Sequence, residues 1–321
     1  MLIFPTYQTI LTKPAAATSS SSSFGGVTTD LLVHYDFSDT SCWNRNKSSN
    51  AADYTVNNLV GDHNDAHIRR KVSGTTWTST SDSPVIEFNS DADGCIQSVT
   101  SNYDGDEDQT IIVIPGAESS STAGDQNYNM STVSSTSSNN LTNIGTGAWT
   151  AELWTRYYLD NSGTGASLTF TFFNTNSEDE DMYNLMAVYD LNWVSTSPRG
   201  DLKYKYYSPQ HNVHFTSTVL NNAIPGAPSS GAGWTDWMHI VISKESGTSS
   251  GNTKVYINNT HEKTNMDKND LDYLRYGRLL SVFNATTPIS RLGIFRFYQG
   301  KSLTSSEVTT NWNAQKERFG H

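Results

Sequence analysis

Cysteine is scarce in this chain. Cys42 and Cys95 are the whole complement among 321 residues. One disulfide is the most they can form, sequence alone cannot place their Cα atoms at bridging distance, and two free thiols are the expected state. There is no Cys-x-x-Cys, no Gly-x-Ser-x-Gly elbow, no phosphate loop and no dinucleotide fingerprint. Charged residues make up only 17 %, and their balance is acidic, with a net charge of −11. A nucleic-acid partner needs a basic face, so that class is excluded. No stretch reaches the ~18 consecutive apolar residues that a membrane span requires. Met1-Leu-Ile-Phe-Pro5 lacks a basic leader and Lys13 comes too late, so no secretory signal is expected. No repeat of 20–50 residues stands out, which argues against a propeller or solenoid.

Ser, Thr, Asn and Gly dominate, hydrophobic residues reach only 35 %, and aromatics are plentiful at 11 %. Half-buried strands joined by long polar loops read this way. Strands are predicted at Leu31–Phe37, Val85–Phe88, Thr110–Ile114, Thr150–Tyr158, Ser167–Phe173, Met186–Tyr189, Leu202–Tyr207, Met238–Ser243, Thr253–Ile257 and Arg291–Tyr298. Asn, Gly, Ser and Asp clusters between them supply turn chemistry. Residues 1–26 stand apart. Leu2, Ile3, Phe4, Tyr7, Ile10 and Leu11 form an apolar segment, Pro14 ends it, and a Ser-rich linker tract follows. An apolar hook on a tether is suited to docking on a neighbouring subunit. The sandwich is expected over 27–321, with a long polar insertion at about 116–148.

The last thirty residues carry the clearest pattern. Alternation along Arg291–Tyr298 places Leu292, Ile294 and Arg296 on one face and Gly293, Phe295 and Phe297 on the other. Thr304 and Glu307 form a capping box. Val308, Trp312, Gln315 and Phe319 share one helical stripe, and Gly320 suits the helix end. This closing strand and helix resemble those of laminin-G-like domains of the concanavalin A-like lectin/glucanase superfamily. Asp30-Leu-Leu-Val-His-Tyr-Asp-Phe-Ser-Asp39 resembles the family's first strand, and Trp149-Thr-Ala-Glu-Leu-Trp-Thr155 a later one. Trp237-Met-His-Ile-Val-Ile-Ser243 followed by Lys254-Val-Tyr-Ile-Asn-Asn259 is similar to its Trp-led strand pair. The resemblance covers residues 28 to 320 or so. It implies an all-β, two-sheet antiparallel jelly-roll sandwich with a short C-terminal helix behind an extended N-terminal arm. The superfold carries sugar binding, hydrolysis and scaffolding alike, so it does not settle activity.

Candidate sites follow from residue chemistry. Glucanases of the superfamily carry paired carboxylates on one strand face. Glu178-Asp-Glu-Asp181 lacks that spacing and reads as an acidic turn, and Glu152 falls where the family buries a structural glutamate, so no catalytic residue is assigned. Asp91 and Asp93 beside Asn89 and Gly94 resemble half of a calcium loop. Thr100 at position twelve excludes an EF-hand. Asp104, Asp106 and Asp108 alternate in a second cluster, and the family often carries calcium at the sandwich rim. The pairs His63/His67 and His211/His214 have no obvious third ligand for a transition metal. Trp193, Tyr204, Tyr206 and Trp234 are candidate platforms for a pyranose, whereas Trp237 matches the family's buried tryptophan.

Together with the resemblance, these features lead to a non-enzymatic structural or decoration protein of a phage or virus particle. Its arm would fasten to capsid or tail subunits in a multimeric assembly. The alternative is a glycan-binding adhesin engaging cell-surface glycans, with calcium as a possible cofactor. A glycoside hydrolase trails behind both.

Overall fold

The computed structural model describes residues 24–43, 55–61, 65–72, 76–78, 86–98, 110–115, 147–159, 167–173, 183–189, 201–208, 213–221, 223–228, 231–247, 253–266, 276–281 and 290–321. The docking residues Leu2 to Leu11 and the polar insertion up to residue 146 lie outside them.

In chain order the strands begin with β1 (Leu31–Asp36), β2 (Thr55–Val56), β3 (Ala66–Val72), β4 (Thr76–Thr78), β5 (Ile86–Asn89) and β6 (Cys95–Ser98). Next come β7 (Thr110–Pro115), β8 (Trp149–Leu159), β9 (Ser167–Phe173), β10 (Tyr183–Tyr189), β11 (Asp201–Ser208) and β12 (Val213–Leu220). The last are β13 (Gly233–Trp234), β14 (Met238–Lys244), β15 (Thr253–Ile257), β16 (Thr260–Met266), β17 (Tyr276–Ser281) and β18 (Ser290–Gln299), followed by helix α1 (Ser305–Gln315).

Two antiparallel sheets result, and the fold is the concanavalin A-like jelly-roll sandwich. One sheet runs β16-β15-β14-β8-β18-β6-β5, with β1 added to β18 and β13 to β8. The other runs β12-β11-β10-β9-β17-β7-β3-β2, with β4 on β3. Every predicted strand is present. Those the pattern missed, among them β3, β12 and β16, read Ala-His-Ile-Arg-Arg-Lys-Val, Val-His-Phe-Thr-Ser-Thr-Val-Leu and Thr-His-Glu-Lys-Thr-Asn-Met. Their charged and hydroxyl residues hide the period-2 signal. β16 lies at the end of its sheet, where charges guard against edge pairing.

The main core fills the space between the sheets. Trp149, Ala151, Leu153, Tyr157 and Leu159 of β8 meet Val33, Tyr35 and Phe37, Met238, Ile240 and Ile242, and Phe295 and Phe297 from their own sheet. Ile68, Ile112, Leu202 and Leu220 come from the other. Each such side chain contributes about 1.5–3 kcal/mol on burial. Cys42 and Cys95 are both free and buried. Burial pushes the Cys95 thiol up to about 12 and the Cys42 thiol higher still, so neither offers a thiolate near neutral pH.

One detail of β18 departs from simple alternation. The register with β8 slips between Leu292 and Ile294. Leu292 therefore joins Phe295 and Phe297 in the inter-sheet core, while Ile294 packs with Trp154 and Phe319 on the opposite side. Gly293 is the inserted residue. A Cβ there would stand 2.6 Å from Cε1 of Phe319, so the bulge needs a bare Cα.

The outer face of the β8 sheet is covered by the C-terminal segment. Thr304 accepts from the Glu307 N–H at 3.3 Å, and the Glu307 carboxylate accepts from the Thr304 N–H at 2.9 Å, completing the expected capping box. Lys316 caps the helix, and Gly320 closes the next turn at a φ of +80°. Trp312 and Phe319 stack on Trp154, with centroids 5.2 and 4.2 Å away. The chain also enters the domain earlier than its strand pattern predicts. The Phe24 ring covers the Arg296 guanidinium at 3.4 Å, and the Val27 N–H donates to Asn311 Oδ1 at 2.7 Å.

Candidate functional site

The even-numbered residues of β8 line this outer face, and they divide into a sealed end and an open end. At the sealed end lies Glu152, fully buried. Its Oε1 accepts from Arg296 Nη1 at 2.8 Å and pairs with His239 Nε2 at 2.9 Å. Its Oε2 accepts from Asn311 Nδ2 at 2.7 Å and lies 3.3 Å from the Tyr298 hydroxyl, whose one proton it shares with the Val27 carbonyl. Burial alone would raise this carboxyl. The Arg296 charge and the His239 and Asn311 hydrogen bonds outweigh burial and hold it at about 2. The cluster ties three strands to α1 with no access for a ligand.

The open end is a cleft of about 480 Å³. Its residues come from four distant segments: the turn at Asp91 and Ala92, Arg156 of β8, Trp234 to Trp237, and the tail from Arg318 to His321. Trp234 pairs across the ladder with Tyr158, whose ring meets the indole edge-on at 5.4 Å. The guanidinium carbons of Arg291 and Arg156 lie 3.9 and 4.8 Å from the Trp234 ring centroid. Both arginines donate to one atom, Asp91 Oδ2, at 2.7 and 2.9 Å. A shared carboxylate oxygen thus fixes both guanidiniums beside the indole. Arg291 Nε also donates to Gln97 Oε1 at 2.7 Å.

The segment carrying Trp234 is bolted down. Thr235 exchanges backbone and hydroxyl hydrogen bonds with Tyr157, at 2.8 and 3.0 Å. The Asp236 N–H donates to the Pro225 carbonyl at 3.0 Å. His321 Nε2–H donates to the Trp237 carbonyl at 2.7 Å. Across the cleft, Arg318 donates twice to Asp36 at 2.9 Å and to the carbonyls of Ala92 and Gly94 at 2.7 and 2.9 Å. Those bonds hold Ala92 and Asp93 in left-handed backbone, φ +49° and +60°, which costs about 1–2 kcal/mol per residue.

The predicted site residues fare differently. Trp234 stands in the cleft, and Trp237 is buried at its base, 5 % exposed. Tyr204 and Tyr206 belong to β11 in the other sheet, so they are not grouped with Trp234. Trp193, Glu178 and Glu180 lie outside the described residues, as do Asp104, Asp106 and Asp108. The Asp91 carboxylate is turned onto two guanidiniums, while Asp93 points to solvent. Among the described residues no group of three or more His, Cys, Asp or Glu side chains converges to hold a metal. No helix among them is long and apolar enough to cross a membrane. Arg156, Arg291 and Asp236 were not singled out from sequence. They meet only through folding, although Asp236 sits inside the same Gly-Trp-Thr-Asp-Trp run as Trp234.

No family model and no curated protein matches the chain. Solved structures match it in fold. The binding domain of Paraclostridial Mosquitocidal Protein 1 superposes with a TM-score of 0.50 at 13 % identity, covering 88 % of this chain and 52 % of that one. The binding domain of Botulinum neurotoxin DC in complex with rat synaptotagmin II gives 0.51 at 11 %, covering 90 % and 52 %. The same toxin's binding domain in complex with SialylT gives 0.50 at 7 %, again covering 90 % and 52 %. The chain thus spans about half the length of the binding domains it matches. At these identities the likeness establishes the jelly-roll architecture.

Proposed function

We propose that this chain is a non-catalytic, lectin-like domain that binds carbohydrate in the Trp234 cleft, in an extracellular setting. The observation that carries this reading is the indole itself. It is part-exposed in an open cleft, and two guanidiniums that a shared carboxylate fixes in place lie against it. A pyranose presents C–H groups to such a ring and its hydroxyls to the polar groups around it. Neighbours in fold space support the class, since one is seen with SialylT and another belongs to botulinum neurotoxin type C, whose cell entry depends on interaction with two ganglioside molecules. Because the chain spans half of those domains, their ligands enter only as part of this proposal.

The particle-anchored setting expected from the sequence has no counterpart among these matches, whereas the glycan-binding alternative does and takes precedence. The test is an oligosaccharide array probed with the full chain and with Trp234→Ala. Binding that is lost in the variant, with its thermal unfolding unchanged, supports the reading. An array silent on every sugar, or binding that survives the substitution, removes it.

A further inference from the structure

We infer that the cleft selects neutral saccharides over acidic ones and that Asp236 is the residue that reads the sugar hydroxyls. This rests on the glycan-binding reading above and goes one step further, to the class of sugar.

The first support is charge matching. Three guanidiniums lie in or behind the cleft, and each is ion-paired to a carboxylate, although Arg156 Nε is buried with no hydrogen-bond partner among the described residues. Arg318 spends four of its five N–H donors on both oxygens of Asp36 and two backbone carbonyls. Arg156 and Arg291 converge on Asp91, and Asp236 adds a second negative charge acting on Arg156. Asp36, Asp91 and Asp236 thus balance the three cations. A sugar carboxylate entering here meets no net positive charge, and the chain as a whole carries −11. Displacing Asp91 to free an arginine would break two ion pairs on a strained turn.

The second support is the state of Asp236. It lines the cleft and is exposed. Among the described residues no donor reaches its carboxylate, and its backbone is held by the N–H bond to Pro225. Its Cγ and Oδ1 lie against Gly226, where a Cβ would come within 2.3 Å of both. The Gly226 φ of +66° and the Asp236 N–H bond to Pro225 fix that approach. An exposed carboxylate with its lone pairs unspent, two residues from an aromatic platform, accepts hydroxyl donors well. It also repels a ligand that brings its own carboxylate. Hydrogen bonds to a charged acceptor of this kind correspond to about ten- to a hundredfold in affinity.

The experiment uses matched pairs: neutral oligosaccharides ending in galactose, glucose, mannose or N-acetylglucosamine, and the same chains capped with sialic acid or a uronic acid. Titration calorimetry of the full chain should show the neutral member of a pair binding at least about tenfold more tightly. Asp236→Asn should weaken the neutral member and narrow the neutral-to-acidic ratio, because a negative charge is lost. Acidic members binding as well as neutral ones, in a manner abolished by Trp234→Ala, would overturn the selectivity while leaving the cleft a glycan site. An unchanged ratio in Asp236→Asn would overturn the role of Asp236. Absence of any Trp234-dependent binding removes the underlying reading, and the inference with it. Thermal unfolding of both variants guards against misfolding, since both positions lie at the part-exposed rim.

Discussion

Two arginine–carboxylate clusters share the outer face of one sheet, and only one is open to solvent. Glu152 and Arg296 have side chains with 0 % exposure. Asp91, Arg156 and Arg291 retain 28, 18 and 15 %. The sealed cluster spends every Glu152 oxygen on protein donors and is covered by α1 and Phe24. The open cluster places the same chemistry beside a part-exposed indole and an Asp236 carboxylate that no donor reaches among the described residues. The difference lies in what covers the sheet, because both carboxylates and all the arginines lie within or beside the same strands. Burial turns one cluster into a fastener and exposure leaves the other available to a ligand.

The comparison can be broken most easily at the sealed end. Glu152→Ala strands a buried guanidinium and should cost about 3–5 kcal/mol in chemical denaturation. A loss under about 1 kcal/mol would show that the network is not a fastener. Acid should attack the same end. Burial, aided by the nearby Arg296 charge, holds the His34 imidazole down at about 3, so the unfolded chain takes up that proton below about 6.5 and the folded chain does not. Glu152 adds to this below its ordinary value of 4.5, because its folded carboxylate resists protonation until about 2. Both effects have one sign. Stability should fall as pH drops from about 6.5 toward 3, with Glu152 contributing below 4.5. A pH series of melting temperatures checks this, and His34→Gln should remove the upper part of the decline.

Gly293→Ala should cost about 1–3 kcal/mol, by driving a methyl into the Phe319 ring that walls the cleft. Removing the capping box with Thr304→Ala should cost about 1 kcal/mol and loosen α1 alone, as hydrogen exchange of the helix amides would show. Smallest should be Asp91→Ala at the open end. Its ion pairs are part-exposed, so the expected loss is about 1 kcal/mol or less. Its sugar affinity should fall, however, as Arg156 and Arg291 lose their anchor behind Trp234. If Asp91→Ala matched Glu152→Ala in stability, the contrast between fastener and site would disappear.

Much of the architecture was legible in the sequence. The strand pattern of β8, β14, β15 and β18, the capping box and the buried Trp237 follow from local periodicity and cap chemistry. The bulge was not read, although a lone Gly293 within a strand was its signal. The cleft was legible only through Trp234. Arg156 and Arg291 each have a local pattern indistinguishable from a strand arginine anywhere. What distinguishes them is a shared oxygen on Asp91, 65 and 200 residues away in sequence. The pairing of Asp91 with two arginines was not legible either, because alternating Asp and Asn on a turn look alike whether they face a cation in water or a guanidinium on a sheet.

The segment from Phe24 to Val27 has one more consequence. The Val27 carbonyl accepts from the Tyr298 hydroxyl at 3.0 Å and its N–H is held by Asn311, the same two side chains that grip Glu152. Whatever lies upstream of Phe24 therefore departs from a fixed socket and not from a swivel. Traction applied there is borne by the sealed cluster first, and the neighbouring cleft keeps its shape under load for as long as that cluster holds.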